Sequence, residues 1–489
     1  MLTFIVFFPV IGAVVLATLP REQERHAKWM ALAVTGAVLG FTLAVFAMFD
    51  RGSDEAMQFT ERFRWIRAED AGFDIQYFLG VDGLGLTMVV LTGLLFVVAV
   101  LVSWNVELRA KEYFAWLLAL ETGVMGVFTA QDLIFFFLFW EVELIPMYLL
   151  ISIWGSGRKS YSAMKFVLFT LFGSALMLVG FLVLAFSADP STFDMVALRD
   201  SNISDALLPL PAIFVLIFAA FAIKLPIVPL HTWLPDAHTD APTAVSVILA
   251  GVLLKMGGYG MLRLVSIMPD TAQDFAVWMA SFAAGSIIYG AIVTMRQTDL
   301  KRLIAYSSVS HMGYVLLGIA ALGQVGMTGA ALQMFSHGLI TGLLFVIVGM
   351  IYDRAHTRDI RELSGLAHVT PVIATAMLMA GLASLGLPAM SGFVAEVTVF
   401  LGAGDRFAAP TVLGVIGVLL SAGYILWTIQ RTMFGPRNER WADLPDATAW
   451  WEQVPVAAML AIILAVGIYP ARLVDVIEQG ILPIATRLG

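Results

Sequence analysis

Residues 212–238 read AIFVLIFAAFAIKLPIVPLHTWLPDAH, and Lys224 sits deep in that apolar run, two residues before the first of three prolines. A protonated amine near the centre of a bilayer costs about 2.5–3.5 kcal/mol on insertion scales. Pro226, Pro229 and Pro235 break the helix just past the lysine and free backbone groups that lipid cannot satisfy. A charge beside a broken helix lines a polar path inside a membrane protein. The stretch reads as part of an ion carrier.

The rest of the chain agrees. Of 489 residues, 60% are hydrophobic and 13% charged, and the mean hydropathy is +0.88, far outside the soluble range. At about 20 residues per crossing, the pattern predicts an all-α integral membrane protein of fourteen transmembrane helices. They begin near Leu2, Trp29, Gly83, Phe114, Leu133, Ser162, Leu207, Pro242, Thr271, Lys301, Gly326, Thr370, Pro410 and Val454. With the N-terminus outside, the loops after odd-numbered helices hold 16 of the 28 basic residues, including Arg21, Arg25, Lys301 and Arg358. The other side holds 9, including Arg199 and Arg263, so the positive-inside rule puts both termini out. Without a signal-peptide cleavage site, residues 2–19 are expected to stay as a helix. The chain has no cysteine, which excludes thiolate-held clusters and disulfides. A net charge of −8 spread over loops gives nucleic acid no footing. Between residues 49 and 82, QFTERFRWI and GFDIQYFLG alternate like strands and predict a hairpin on the outer surface.

A second interrupted stretch, GLASLGLPAMSGFVAEVTVF at 381–400, carries Gly386, Pro388 and Gly392 ahead of Glu396. The two breaks fall in the seventh and twelfth segments, five helices apart. Paired breaks at corresponding positions point to inverted transporter repeats, and an odd spacing forces opposite orientation. The expected organisation is 1–110 for helices 1–3 with the hairpin, 111–266 and 267–434 for the two five-helix repeats, and 435–489 for helix 14.

Glu141 follows eight consecutive apolar residues in QDLIFFFLFWEVELIPMYLL. Paired with Lys224, both could stay charged, and such a pair can open and close; the plainer reading is a static ion pair. Glu143 lies about 200° further round the helix, so a polar contact near the helix end suits it as well as transport. Glu121 is a possible second acid. Lys255, in SVILAGVLLKMGGYGMLRL, is flanked by apolar residues, and Gly257 and Gly258 allow close helix packing. It reads as a central proton site rather than a snorkelling lysine. His311 and His337 suit a water-bridged relay, with Ser308 three residues before His311 on one helical face. Glu396 would close the path on the outer side, or else cap amides freed by Pro388. His231, Asp236 and His238 are expected near the cytoplasmic surface, where they could feed protons inward. His26, His356 and His368 read as solvated loop residues.

FWEVELIPMYLLISIWG, the stretch 220–263, RLIAYSSVSHMGYV and SHGLITGLLF together resemble the antiporter-like subunits of respiratory complex I (NADH–quinone oxidoreductase), relatives of the multisubunit sodium/proton antiporters. The resemblance covers nearly the whole chain. It implies fourteen helices with two inverted five-helix repeats. It also implies a Glu141–Lys224 pair that opens and closes, Lys255 as central carrier, His311 and His337 as relay, and Glu396 facing the exit. Glu143 stands where the family carries an apolar residue, so no role passes to it. The resemblance further implies a non-redox proton-pumping chain in a bacterial inner membrane or equivalent. FMN, iron–sulfur clusters and quinone would then lie in partner subunits, and neighbouring membrane-arm subunits and lipid would surround it. The alternatives are a sodium/proton antiporter subunit without a redox partner, or a scaffold bundle that carries no ion.

Overall fold

The computed structural model describes residues 1–20, 24, 26–53, 55–68, 73–203 and 206–488; Arg21, Arg25 and the expected hairpin tip at 69–72 lie outside it. Helices α1 (Leu2–Thr18) and α2 (Ala27–Met48) lead to an antiparallel hairpin of β1 (Gln58–Ala68) and β2 (Phe73–Val81). Then come α3 (Gly83–Val102), α4 (Ala110–Thr129), α5 (Leu133–Val142), α6 (Leu144–Trp154), α7 (Lys159–Ser187) and the short α8 (Met195–Leu198). The middle of the chain forms α9 (Leu210–Lys224), α10 (Trp233–Asp240), α11 (Thr243–Ile248), α12 (Leu254–Ile267), α13 (Pro269–Thr294) and α14 (Leu300–Ala320). The last third forms α15 (Gln324–Ala355), α16 (Pro371–Ser384), α17 (Ser391–Gly404), α18 (Ala408–Thr432), α19 (Trp450–Ile468) and α20 (Ala471–Ala485). Among the described residues, ten stretches are long and apolar enough to cross a membrane. Helices α1, α9, α16 and α17 are apolar but shorter, so length and composition give ten clear crossings against the fourteen expected.

The helices are interrupted where the backbone chemistry demands it. Pro146 has no N–H to return to the Val142 carbonyl, and the fifth segment gives way at Glu143, between α5 and α6. Pro226 and Pro229 stop α9 at Lys224, and the chain resumes as α10. Gly386, at φ +75°, takes the left-handed conformation that ends α16 before α17. In the eighth segment a π-turn over Leu249–Leu253 separates α11 from α12.

Helices α12, α14 and α15 are almost wholly buried and form the centre of the bundle. Around them α2, α7, α13, α18 and α19 keep apolar outer faces, with Leu168, Phe172, Trp278 and Leu419 exposed. Gly257 permits a close backbone contact: a Cβ there would lie 2.7 Å from both the Leu225 nitrogen and the Phe221 carbonyl. The helix bearing Lys255 therefore packs directly on the break beside Lys224.

The hairpin is tied down by charge. Gln76 N–H donates to Asp132 at 3.0 Å, and Arg62 reaches Asp194 at 2.7 Å. Asp82 caps α3 by accepting from Gly85 N–H at 2.8 Å, and Arg263 grips it with two bonds of 2.6 and 2.8 Å. Arg263, expected in an exposed outer loop, is instead buried at the end of α12 with Tyr259 beside it. Lys301, expected among the basic loop residues, is also buried and donates to the Ala241 carbonyl at 2.6 Å. The stretch 435–489, read as one closing helix, holds two. The second, α20, lays Leu473, Val476, Ile477 and Ile481 against the core, and Gly83 leaves room for the Val476 carbonyl.

Burial alone would raise the Asp82 carboxyl, but the Arg263 guanidinium overrides this and holds it below the usual carboxylate range. The clamp's contribution is therefore full above the ordinary aspartate value of about 4 and is lost only as pH falls below it. Replacing Asp82 with Ala would strand a buried arginine, and about 3–5 kcal/mol of stability should go with it. A melting temperature of the purified protein unchanged by Asp82→Ala would contradict this account.

Candidate ion path

Lys224 is 1% exposed, and its ammonium donates to Glu143, whose side chain is 0% exposed. The expected pair with Glu141 is not the one formed. The two acids do point to different faces, as their separation requires, but the inward one is Glu143. Ile134, Leu138, Glu141 and Ile145 recur at intervals of four, three and four residues and form the peripheral stripe of this segment. Phe136, Trp140, Glu143 and Met147 form the buried one. Glu141 is half-buried, with Lys224 near enough to act on it electrostatically; the nearby Ser174 hydroxyl donates instead to the Thr170 carbonyl at 2.9 Å. The lysine also lies over the rings of Trp140 and Phe166, at 5.4 and 5.3 Å from their centroids, so aromatic faces share the work of solvating the cation.

Lys255 is fully buried at the start of α12. The π-turn before it loosens the backbone, and the ammonium donates to the Ala250 carbonyl inside that turn. π-Turns within helices recur at functional sites for this reason. Its second partner is His337 Nδ1 on α15, at 2.7 Å. His337 Nε2 is buried with no partner, and its ring lies 5.5 Å from that of His311 on α14. His311 in turn is 3.5 Å from each of Gln333, Ser384 and Glu396. Those distances are long for direct bonds. A cavity of about 10 Å³ between His311, His337, Ser384 and Glu396 is the size of one water molecule, so a water-bridged contact fits. Ser308 is not a partner of His311, because its hydroxyl donates to the Ile304 carbonyl.

Glu396 lies on α17 and faces the break: a Cβ on Gly386 would come within 2.5 Å of its Oε2. His238, expected near the surface, is fully buried with neither ring nitrogen partnered. It stacks on Phe345 at 4.6 Å and is close enough to Lys255 and Lys301 to sense their charge. The reason is that α10 folds back into the bundle instead of leaving it. His231 is likewise buried, against Tyr289. Asp236 is held by Lys165 at 2.7 Å. Glu121 is fully buried and neither carboxyl oxygen has a partner, yet the structure brings it to no member of the row. His26, His356 and His368 are exposed. Among the described residues no group of three His, Cys, Asp or Glu could hold a metal.

Four helices thus bring Lys255, His337, His311 and Glu396 into one buried row, with Lys224 and its two carboxylates beside it. Residues 130–421 match the family described as NADH:quinone oxidoreductase/Mrp antiporter, transmembrane. The chain belongs to this family. It is an integral membrane protein. Subunit M of NADH-quinone oxidoreductase from Rhodobacter capsulatus is 42% identical, covering 98% of this chain and 95% of its own. A chain of respiratory complex I from Thermus thermophilus with bound NADH has a TM-score of 0.89 at 27% identity, with both chains fully covered. A chain of the Mrp complex from Dietzia sp. DQ12-45-1b reaches 0.85 at 21% identity, covering 100% of this chain and 99% of that one, a likeness of fold alone.

From sequence, Glu143 suited a polar contact near the helix end as well as transport, whereas Gln333, Ser384 and the rings of Trp140 and Phe166 were not singled out. Pro146, three residues past Glu143, was the available signal: it marks a break at which ideal helical spacing stops deciding which acid faces inward. Nothing local marks Gln333 or Ser384. The position of Glu396 depends on Gly386. Gly386→Ala should break the His311–Glu396 contact and lower stability by about 1–3 kcal/mol through left-handed strain, measured as a fall in melting temperature with a structure of the variant. An unmoved Glu396 would show that the glycine does not set its place.

Proposed function

We propose that this chain is the proton-carrying subunit M type of an NADH–quinone oxidoreductase membrane arm. In this reading it moves protons through its own buried side chains while redox chemistry proceeds in other subunits. The observation that carries the reading is the Lys255–His337 contact, continued through His311 to Glu396, in the fully buried centre of the bundle. Lysine, histidine and glutamate can each hold or release a proton, and the one-water cavity lets His311 exchange with Glu396 without a large movement. Lys255 serves as the central store, His337 and His311 pass the proton on, and Glu396 is its last holder beside the break at Gly386.

The same proposal covers the surroundings. The fourteen crossings form three leading helices, inverted repeats over 111–266 and 267–434, and a closing segment over 435–489. Both termini and the hairpin lie on the outer face. FMN, iron–sulfur clusters and quinone reside in partner subunits, and the neighbours of this chain are other membrane-arm subunits. Moving one charge against 100 mV takes about 2.3 kcal/mol, so the row needs an external drive. Lys224 is coupled to the row by packing, because Gly257 on the helix of Lys255 lies against Phe221 and Leu225 at the end of α9. A change in the state of Lys224 can therefore bias proton occupancy at Lys255. On the basic side, a cavity of about 500 Å³ lined by Ser103, Thr243, Lys301, His356 and Arg358 leads toward Lys301 and His238, and supports proton uptake from that face.

The test uses the whole complex, reconstituted in liposomes. With Lys255→Met, NADH oxidation by a soluble dye that bypasses quinone should be unchanged, while NADH-driven proton pumping falls at least about fivefold. A scaffold subunit would pump as before.

A further inference from the structure

We propose that Glu143 is the resting counter-charge of Lys224, and that the lysine exchanges between Glu143 and Glu141 as the carrier cycles. This rests on the proton-carrier reading and adds a switch residue to it. The interior carboxylate holds the lysine in the structure, while Glu141 occupies the peripheral stripe, half-buried and within electrostatic reach of the same lysine. One cation therefore faces two carboxylates on opposite sides of one helical segment.

The two ends of the pair are built to move. Glu143 is the junction residue between α5 and α6, at a point loosened by Pro146. Lys224 is the last residue of α9, at a point loosened by Pro226. A small rotation at either break shifts the charge without unravelling a continuous helix. Between the two stops, the faces of Trp140 and Phe166 lie 5.4 and 5.3 Å from the ammonium, and they can shelter the cation in transit. Glu143 Oε2 and Glu141 Oε1 are both buried without a partner, so neither carboxylate is locked by other bonds. The contrast with Asp82 is direct: there the arginine takes both oxygens and a backbone amide adds a third bond.

Exchange makes the site bistable. With Lys224 on Glu143 the fully buried pair is neutral, and Glu141 stays at the half-buried rim. With Lys224 on Glu141, Glu143 is left bare among apolar side chains, which strongly favours a proton or the return of the lysine. Because Gly257 of α12 packs against the end of α9, each position of Lys224 is felt by the helix that carries Lys255.

The experiment compares Glu143→Gln, Glu141→Gln and the double variant in the reconstituted complex. Assembly is followed on native gels and the dye-linked NADH oxidation serves as internal control. E143Q should leave both unchanged and lower proton pumping at least about fivefold. The double variant should be no worse than the more severe single one, since both act on one lysine. A cryo-EM structure of the E143Q complex should place the Lys224 ammonium on Glu141. Normal pumping by E143Q, or a lysine that stays at position 143 in that variant, overturns the exchange. If E143Q does not assemble, Glu143→Asp keeps the charge one methylene short, and pumping at the wild-type rate would overturn it equally. Normal pumping by E143Q together with loss in Lys255→Met sinks the exchange alone. Normal pumping by Lys255→Met and Lys224→Met sinks the carrier reading beneath it.

Discussion

Hydrocarbon offers no water to a free amide or a bare charge, and the whole structure follows from how this chain answers that constraint. Along most of its length the answer is helix. Where the helix must stop, at Glu143, at Lys224, through Leu249–Leu253 and at Gly386, the freed groups are turned inward and met by protein. An ionisable side chain stands at or near each of these four places. The breaks and the charges are one design: an interrupted helix supplies the polar lining, and the lining makes a buried charge tolerable.

The buried charges fall into two kinds, told apart by how fully their bonds are satisfied. Asp82 and Arg263 share two bonds, with a backbone amide and a tyrosine closing the set. That arrangement fixes the hairpin to the bundle, with both carboxylate oxygens of Asp82 taken. In the row from Lys255 to Glu396 the contacts around His311 are long, and His337 Nε2, Glu141 Oε1 and Glu143 Oε2 are buried without partners. Spare hydrogen-bonding capacity in a buried site is unfavourable for stability. Both oxygens of Asp82 are taken, whereas Glu141 and Glu143 each keep a buried oxygen without a partner.

The path also runs between helices rather than along one. Lys255, His337, His311 and Glu396 come from α12, α15, α14 and α17, and each step depends on close packing at small residues. Gly257 admits α9 to the face of α12, and Gly386 leaves space for the Glu396 carboxylate. A complex I chain only 27% identical keeps the same overall fold over the whole length.

By itself the sequence determined the class and the outline. Composition, the run of apolar segments, the proline cluster after Lys224 and the Gly386–Pro388 break established a helical membrane protein with two interrupted helices. Strand alternation located the hairpin. It also selected most of the row, because lysine, histidine and glutamate inside apolar runs are too unfavourable to be incidental. Only the tertiary structure decided which groups meet. Ideal spacing placed Glu141 and Glu143 on different faces but could not say which face turned inward, since that depends on how α5 and α6 pack on α7 and α9. It could not show α10 folding back to bury His238, or Arg263 drawn under Asp82 across nearly two hundred residues of chain. Period and hydropathy are local properties of a chain. Partner choice in a bundle is set by helices far apart in sequence, and no single stretch carries it.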